Sequence, residues 1–349
     1  RSILLNDFVK FIRATTNKPE LLILEKTIKK GYVILDLNLN IDNNGKIKND
    51  YKIDGLVKNT NVDFFKQLNF NNLNFNFQLK QDEYSLSNIN FNSEEVNFIS
   101  EKLNIRKKKN SFLIDGVIKN DKSNLNNNFF RIFNLTPKNV EIDNVKFSTN
   151  NKFSLEIDNK YYIKNVVLNS DININKLKYK KPEIIQKYFS DIDDFVLFEN
   201  HTLKVNYKKN NLSIKGEGEI HLKNEIDKIK YLITKTNDDL KINTELSIKN
   251  VNLRNQDFLK AFFPKINKNI NLNNHKLKIN YNDEKLSLSG SGNLKIDKDF
   301  EEINYFFERK EKTLSFNTKL ILKNSNFIID NINYKKKDKN ELNLKIKGK

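Results

Sequence analysis

Between Thr202 and Tyr207 the apolar residues Leu203, Val205 and Tyr207 are separated by Lys204 and Asn206. That period of two sends apolar side chains to one face of a strand and polar ones to the other. The next run carries Leu212, Ile214, Gly216, Gly218, Ile220 and Leu222 in one phase and Lys215, Glu217, Glu219 and His221 in the other. The polar residues Lys208 to Asn211 interrupt the two runs and are short enough to be a hairpin loop, which predicts antiparallel neighbours. Ile229, Tyr231 and Ile233, then Leu240, Ile242, Leu246 and Ile248, extend the pattern around a second polar tip at Thr236 to Asp239. The segment therefore predicts a meander of about four strands with one greasy face.

This meander is repeated. The segment from Asn200 to Arg254 lies without a gap on Asn274 to Ile328, His201 landing on His275 at an offset of 275 − 201, or 74 residues. The copies of the apolar set are Leu277, Ile279, Tyr281, Leu286, Leu288, Leu294, Ile296, Ile303, Tyr305, Leu314, Phe316, Leu320 and Leu322. A repeat this long is a supersecondary unit, and neither copy contains a catalytic constellation. Short aromatic segments of helical spacing punctuate the strands: Asn6 to Arg13, Val62 to Leu68, Asn128 to Pro137, Pro182 to Ile192 and Gln256 to Pro264. In the last two, Ile184, Ile185, Tyr188 and Phe189 are echoed by Phe258, Leu259, Phe262 and Phe263. Pro182 suits a first helical turn and Pro264 ends a helix. The chain is thus expected to be one continuous array with approximate units 1–61, 62–126, 127–181, 182–255 and 256–349, the echo of IDGLVKN at Ile53 by IDGVIKN at Ile114 marking the diverged early units.

Composition narrows the picture mainly by exclusion. No run approaches the ~18 apolar residues of a transmembrane helix, and the longest apolar stretches, such as Leu21 to Leu24 and Tyr32 to Leu35, are strand-sized. The chain starts at Arg1 and lacks methionine, which reads as an internal fragment whose anchor lies elsewhere. Without cysteine there are no disulfides or thiolate metal sites. The net charge of +18 suggests nucleic acid, but only Arg1, Arg13, Arg106, Arg131, Arg254 and Arg309 are arginine. Bidentate phosphate and base recognition favours that residue. The lysines are dispersed along strand faces, so they read as solvated surface and no nucleic-acid partner is expected; Arg106 to Lys109 and Lys335 to Lys339 read as loop tips.

Candidate chemistry is sparse. His201 and His275 occupy one repeat position and, with His221, lack the convergent ligands a zinc ion needs, so no metal site is expected. Gly216 and Gly218, repeated as Gly290 and Gly292, sit inside strand alternation rather than in a phosphate loop. Their expected role is to bend the sheet or make room on its apolar face. The pairs Asp193–Asp194, Asp238–Asp239 and Glu301–Glu302 read as solvated or capping groups beside turns. No enzyme and no cofactor is implied.

What remains is a long sheet whose apolar face too few helices can cover. The hairpins, the segment DFLKAFFPKI, and the runs NHKLKINY, LSLSGSGNLKI, INYFFE and SFNTKLILKNSNFIIDNINYKK resemble the AsmA-like, YhdP and TamB group of envelope proteins, the bacterial bridge-like lipid-transfer proteins. The resemblance implies a mostly β fold: an elongated, curved antiparallel sheet, a repeating β-groove or half-pipe with short helices between units. It implies an envelope phospholipid conduit in the periplasm of a Gram-negative cell, anchored in the inner membrane. Phospholipid acyl chains would be the partners along the groove, with membranes at the ends of the full-length protein. An adhesin-like scaffold and a closed outer-membrane barrel are the alternatives.

Overall fold

The computed structural model describes residues 2–349 except 17–19, 39, 45–47, 49–51, 65–67, 81–82, 127–138, 143, 161, 190, 224, 255–256, 267–268, 297 and 337–339. Among the described residues the protein is mostly β and antiparallel, helix is confined to short segments, and the sheet is not closed into a barrel. Two compact units divide the chain. Residues 1–138, 142–174 and 205–209 form the first, and residues 139–141, 175–204 and 210–349 the second.

The first unit opens with β1 (Ile3–Leu4), α1 (Leu5–Thr16) and α2 (Glu20–Thr27). The strands β2 (Ile28–Asn38), β3 (Lys52–Phe64), β4 (Leu68–Lys80), β5 (Glu83–Ser93), β6 (Val96–Lys107) and β7 (Ser111–Asn124) follow. After β8 (Val140–Glu141), which groups with the second unit, come β9 (Lys146–Asp158) and β10 (Ile163–Lys180), whose residues 175–180 group with the second unit. Successive strands pair antiparallel, β7 pairing directly with β9. The register draws an apolar row across the sheet through Leu35, Gly55, Phe77, Leu86, Leu103, Gly116, Phe153 and Leu168. At one end Val9 of α1 is buried against Ile28 and Val62.

The second unit contains β11 (Phe195–Lys208), of which Val205–Lys209 groups with the first unit, then β12 (Asn211–His221), β13 (Ile226–Thr236) and β14 (Asp239–Arg254). These are followed by β15 (Asn269–Asn282), β16 (Lys285–Ile296), β17 (Asp299–Lys310) and β18 (Thr313–Leu322). A small pair, β19 (Ile328–Ile329) with β20 (Tyr334–Lys335), precedes β21 (Leu342–Gly348), which pairs with β18. The polar tips predicted at 236–239 and 282–285 are turns, and Lys209 and Asn210 turn the chain between β11 and β12 with φ of 48° and 63°.

The repeat is visible in the packing. Ile185, Phe189, Ile192, Val196, Ile248 and Leu253 belong to one buried cluster, and 74 positions on, Leu259, Phe263, Ile266, Ile270, Leu322 and Phe327 belong to the other. The main-chain bond from Phe189 N to Ile185 O, 2.9 Å, recurs from Phe263 N to Leu259 O at 2.9 Å. Each cluster sits where a short helix lies across the base of its meander. Burial of each large apolar side chain there contributes about 1.5–3 kcal/mol.

Several strands carry an asparagine with positive φ: Asn59, Asn88, Asn165, Asn200 and Asn274, with φ between 50° and 52° for the first three, 51° and 49° for the last two. Asparagine tolerates this left-handed region better than other side chains. At Asn274 the register to β16 slips between Asn273 and Lys276, a β-bulge. The extra residue changes the phase of the strand. Before it the buried residues are Ile270 and Leu272; beyond it the covered positions are His275, Leu277 and Ile279.

Some local readings fail. Val62 to Phe64 of the helix expected at the start of the second sequence unit, 62–126, finish β3, and Leu68 opens β4, because Val62 is 4% exposed and pairs opposite Phe70, so sheet pairing overrides helical spacing. Leu21 to Leu24, though only strand-sized in length, lies in α2. Residues 257–261 form a 3₁₀ turn, and Pro182 is the N-cap of the helix Glu183–Tyr188, one position ahead of its first turn. The segment 128–137 falls outside the described residues.

Candidate functional site

The apolar positions predicted from periodicity within β12 to β18 share one face. In the second unit the register joins Gly218, Ile229, Leu246, Leu277, Gly290, Tyr305, Thr318 and Ile346 in one row. The adjacent row joins Gly216, Tyr231, Thr244, Ile279, Leu288, Phe307, Phe316 and Gly348. A third joins Ile214, Ile233, Ile242, Tyr281, Leu286, Arg309 and Leu314. At ~4.8 Å per strand, the eight strands from β12 to β21 carry these rows over roughly 34 Å.

Burial along this face is graded. Ile220, Ile248, Ile296, Leu320 and Leu322 are buried beneath the short helices, while Tyr281, Leu286 and Leu314 near the hairpin turns are exposed at 38%, 41% and 52%. Leu203, Leu212, Ile214, Leu222, Ile229, Tyr231, Leu240, Ile242, Leu246, Leu277, Ile279, Leu288, Leu294, Ile303, Tyr305 and Phe316 are half-buried, as are Val205 and Tyr207, which group with the first unit. The base of the meander is a core. The remainder is an open sheet face of half-exposed hydrocarbon.

The opposite face is charged. Lys204, Lys215, Lys228, Lys230, Lys241, Lys276 and Lys278 are exposed, and cross-strand pairs such as Lys230–Glu217 at 3.3 Å and Lys278–Glu245 at 2.7 Å run along it. Such surface pairs contribute at most about 1 kcal/mol each. A depression of about 320 Å³ on this side is lined by Lys241, Asn243, Asn280, Tyr281, Asn282, Lys285 and Ser287, a polar setting unsuited to hydrocarbon.

The glycines and histidines form a repeated cross-strand device. A Cβ on Gly216 would lie 2.2 Å from the Tyr231 ring, and one on Gly290 would lie 2.2 Å from the Tyr305 ring, so each tyrosine lies flat over the glycine paired with it. Gly218 and Gly292 likewise make room for His201 and His275. His201 is 6% exposed with Nε2 3.1 Å from the Glu219 carbonyl; His275 is 2% exposed with Nε2 3.1 Å from the Tyr305 hydroxyl. Burial lowers both imidazole pKa values, which keeps the rings neutral at pH 7, and pushes the Tyr305 phenol up to about 12. Among the described residues no group of three His, Cys, Asp or Glu side chains gathers as a metal site.

Two buried carboxylates escaped sequence reasoning. Asp227 and Glu301 occupy the same repeat position and are each 1% exposed. Asp227 Oδ1 accepts the Lys249 amide at 2.7 Å. Glu301 accepts the amides of Lys323, Asn324 and Ser325 at 2.6, 3.0 and 2.6 Å, fixing the chain as it leaves β18. Glu301 is therefore a buried anchor rather than a solvated group, and only its neighbour Glu302 faces water, paired with Lys323 at 2.7 Å. Lys336, read as part of a loop tip, is 3% exposed and donates to the Lys323 carbonyl at 3.0 Å. A signal was available: Asp227 and Glu301 lie 74 residues apart in phase with the apolar set.

The apolar face of the first unit differs in carrying a polar network. Thr149 donates to Asn120, Asn151 donates to the Ile118 carbonyl and to Thr149, and Ser170 donates to Asn151. These groups satisfy one another. Comparison with protein-family models, curated proteins and solved structures finds no match to the chain.

Proposed function

We propose that the protein is a non-enzymatic segment of a lipid conduit, binding phospholipid acyl chains on the apolar face of its antiparallel sheet and passing lipid along the envelope between inner and outer membranes. The observation that carries this reading is the set of in-register apolar rows that the helices cover only at their base. A contiguous apolar face of this kind on a protein surface marks a binding site for apolar matter or another surface. Its open strands present aliphatic and aromatic side chains with glycines between them, which supply dispersion contacts and suit a ligand that slides. A periplasmic setting and an inner-membrane anchor belong to the same proposal through the resemblance to the AsmA-like group.

The test places photo-crosslinking residues at Ile214 and Leu288 on the apolar face and at Lys215 and Lys278 on the charged face. After exposure to phospholipid vesicles, adducts are expected at the first pair only. Equal or absent adducts on the two faces defeat the proposal.

A further inference from the structure

Resting on the acyl-chain reading above, the geometry points to a recurring uncharged hydrogen-bonding station on the apolar face that seats the ester group of an acyl lipid. The station is a cross-strand pair. Tyr231 of β13 stands opposite Thr244 of β14, and 74 residues on Tyr305 of β17 stands opposite Thr318 of β18. All four side chains are half-buried and lie in the two central rows, where their neighbours are glycine, hydrocarbon and the buried rings of His201 and His275.

Three of the four hydroxyls are not used by the fold. Tyr305 shares a hydrogen bond with His275, but the hydroxyls of Tyr231, Thr244 and Thr318 have no protein partner among the described residues. Hydrocarbon laid over the face would strip water from these groups and leave them unpaired, which is unfavourable. A ligand with acceptors of its own removes that conflict. The chemistry of the acceptor follows from the charge. The two central rows contain no Lys, Arg, Asp or Glu; the inward charges among the described residues include Asp227, Asp299 and Glu301 at the base, Asp227 and Glu301 tied to main-chain amides, and Lys235 and Arg309 toward the turns. A phosphate would be unmatched there, whereas a neutral ester carbonyl is matched.

Spacing agrees with this assignment. The second station is displaced by four strand positions from the first, roughly 19 Å at ~4.8 Å per strand. An acyl chain spans about half of a ~30 Å hydrocarbon core, so one chain fits between stations.

The experiment compares binding of dioleoyl phosphatidylcholine with its diether analogue, which has the same chains and headgroup but no ester carbonyls. The wild-type chain is expected to prefer the diester by roughly 5-fold, and the triple variant Tyr231→Phe, Thr244→Val, Thr318→Val to bind both lipids equally. Tyr231→Phe alone, the mildest change, should reduce the preference without loss of binding. Equal affinity of the wild type for the two lipids, or a preference that survives the triple substitution, overturns the station while leaving the acyl-chain reading intact. If the wild type binds neither lipid, both fall.

Discussion

Replacing Glu301 with alanine removes the acceptors of three main-chain donors at once, the amides of Lys323, Asn324 and Ser325. Hydrogen bonds to a charged group contribute about 1.5–3 kcal/mol each, so a simple sum reaches roughly 4.5–9 kcal/mol. That sum is too large, because bonds made by one carboxylate are not independent and the Lys323 and Asn324 residues are exposed, so water can take over their amides. Ser325 is 4% exposed, and its amide alone is stranded. The expected loss is therefore about 2–4 kcal/mol, one buried orphan plus the lost anchoring of the segment that brings Phe327 onto the buried cluster. Urea unfolding reports the magnitude. Amide hydrogen exchange reports the place, with lost protection expected at Ser325 and across residues 323–327. Glu302→Ala is the control, since its exposed pair with Lys323 should change stability by under about 1 kcal/mol. A Glu301→Ala change below about 0.5 kcal/mol with unaltered exchange at Ser325 would refute the anchor.

The pH dependence of the two equivalent carboxylates should have opposite signs. Burial pushes Glu301 up, but the amides of Lys323, Ser325 and Asn324 outweigh it and hold the group below its ordinary 4.5. Its contribution is present above that ordinary value and is lost as pH falls through the lowered one, so Glu301→Gln should flatten the acid limb of a urea-midpoint profile. Burial raises Asp227 above 3.8, so stability is lost as pH rises through its raised value, and Asp227→Asn should hold or increase the midpoint at pH 7. Gly290→Ala drives a Cβ to 2.2 Å from the Tyr305 ring, and a loss of about 1–3 kcal/mol is expected in equilibrium unfolding. Combined with Tyr305→Ala, the two losses should sum to clearly less than their separate total. Asn274→Ala should destabilise by about 1–2 kcal/mol at φ 49° while Asn274→Gly changes little, a contrast that thermal unfolding resolves.

The strands were legible wherever one face alternates, since Leu203 to Tyr207 or Leu277 to Tyr281 allow only one phase. The 74-residue offset supplied what single strands could not, the equivalence of His201 with His275 and of Gly216 with Gly290. Helices were less legible. Val62 to Leu68 has helical spacing, yet Val62 is held in β3 by pairing that no local pattern records. The buried anchor was missed for a related reason: beside Glu302, Glu301 looks like half of a solvated pair, and only the alternation of strand faces sends one carboxylate inward and its neighbour out. The vacant hydroxyls of Tyr231 and Thr244 needed the register, because their pairing spans a turn and two strands.

The asparagine bulges also set a counting rule for the open face. From His201 to Lys208 and from His275 to Asn282 each strand runs the same number of residues between its positive-φ asparagine and the turn. At ~3.4 Å per residue that distance is roughly 27 Å, which fixes how far the uncovered hydrocarbon extends from the helix-covered base. Such a strip can widen or narrow only by steps of two. Removing one residue beyond Asn274 would turn Leu277, Ile279 and Tyr281 to the lysine side and bring Lys276 and Lys278 onto the hydrocarbon. Relatives of this chain should accordingly differ in strand length by even numbers between bulge and turn, and an odd difference should arrive together with a second bulge that restores the phase.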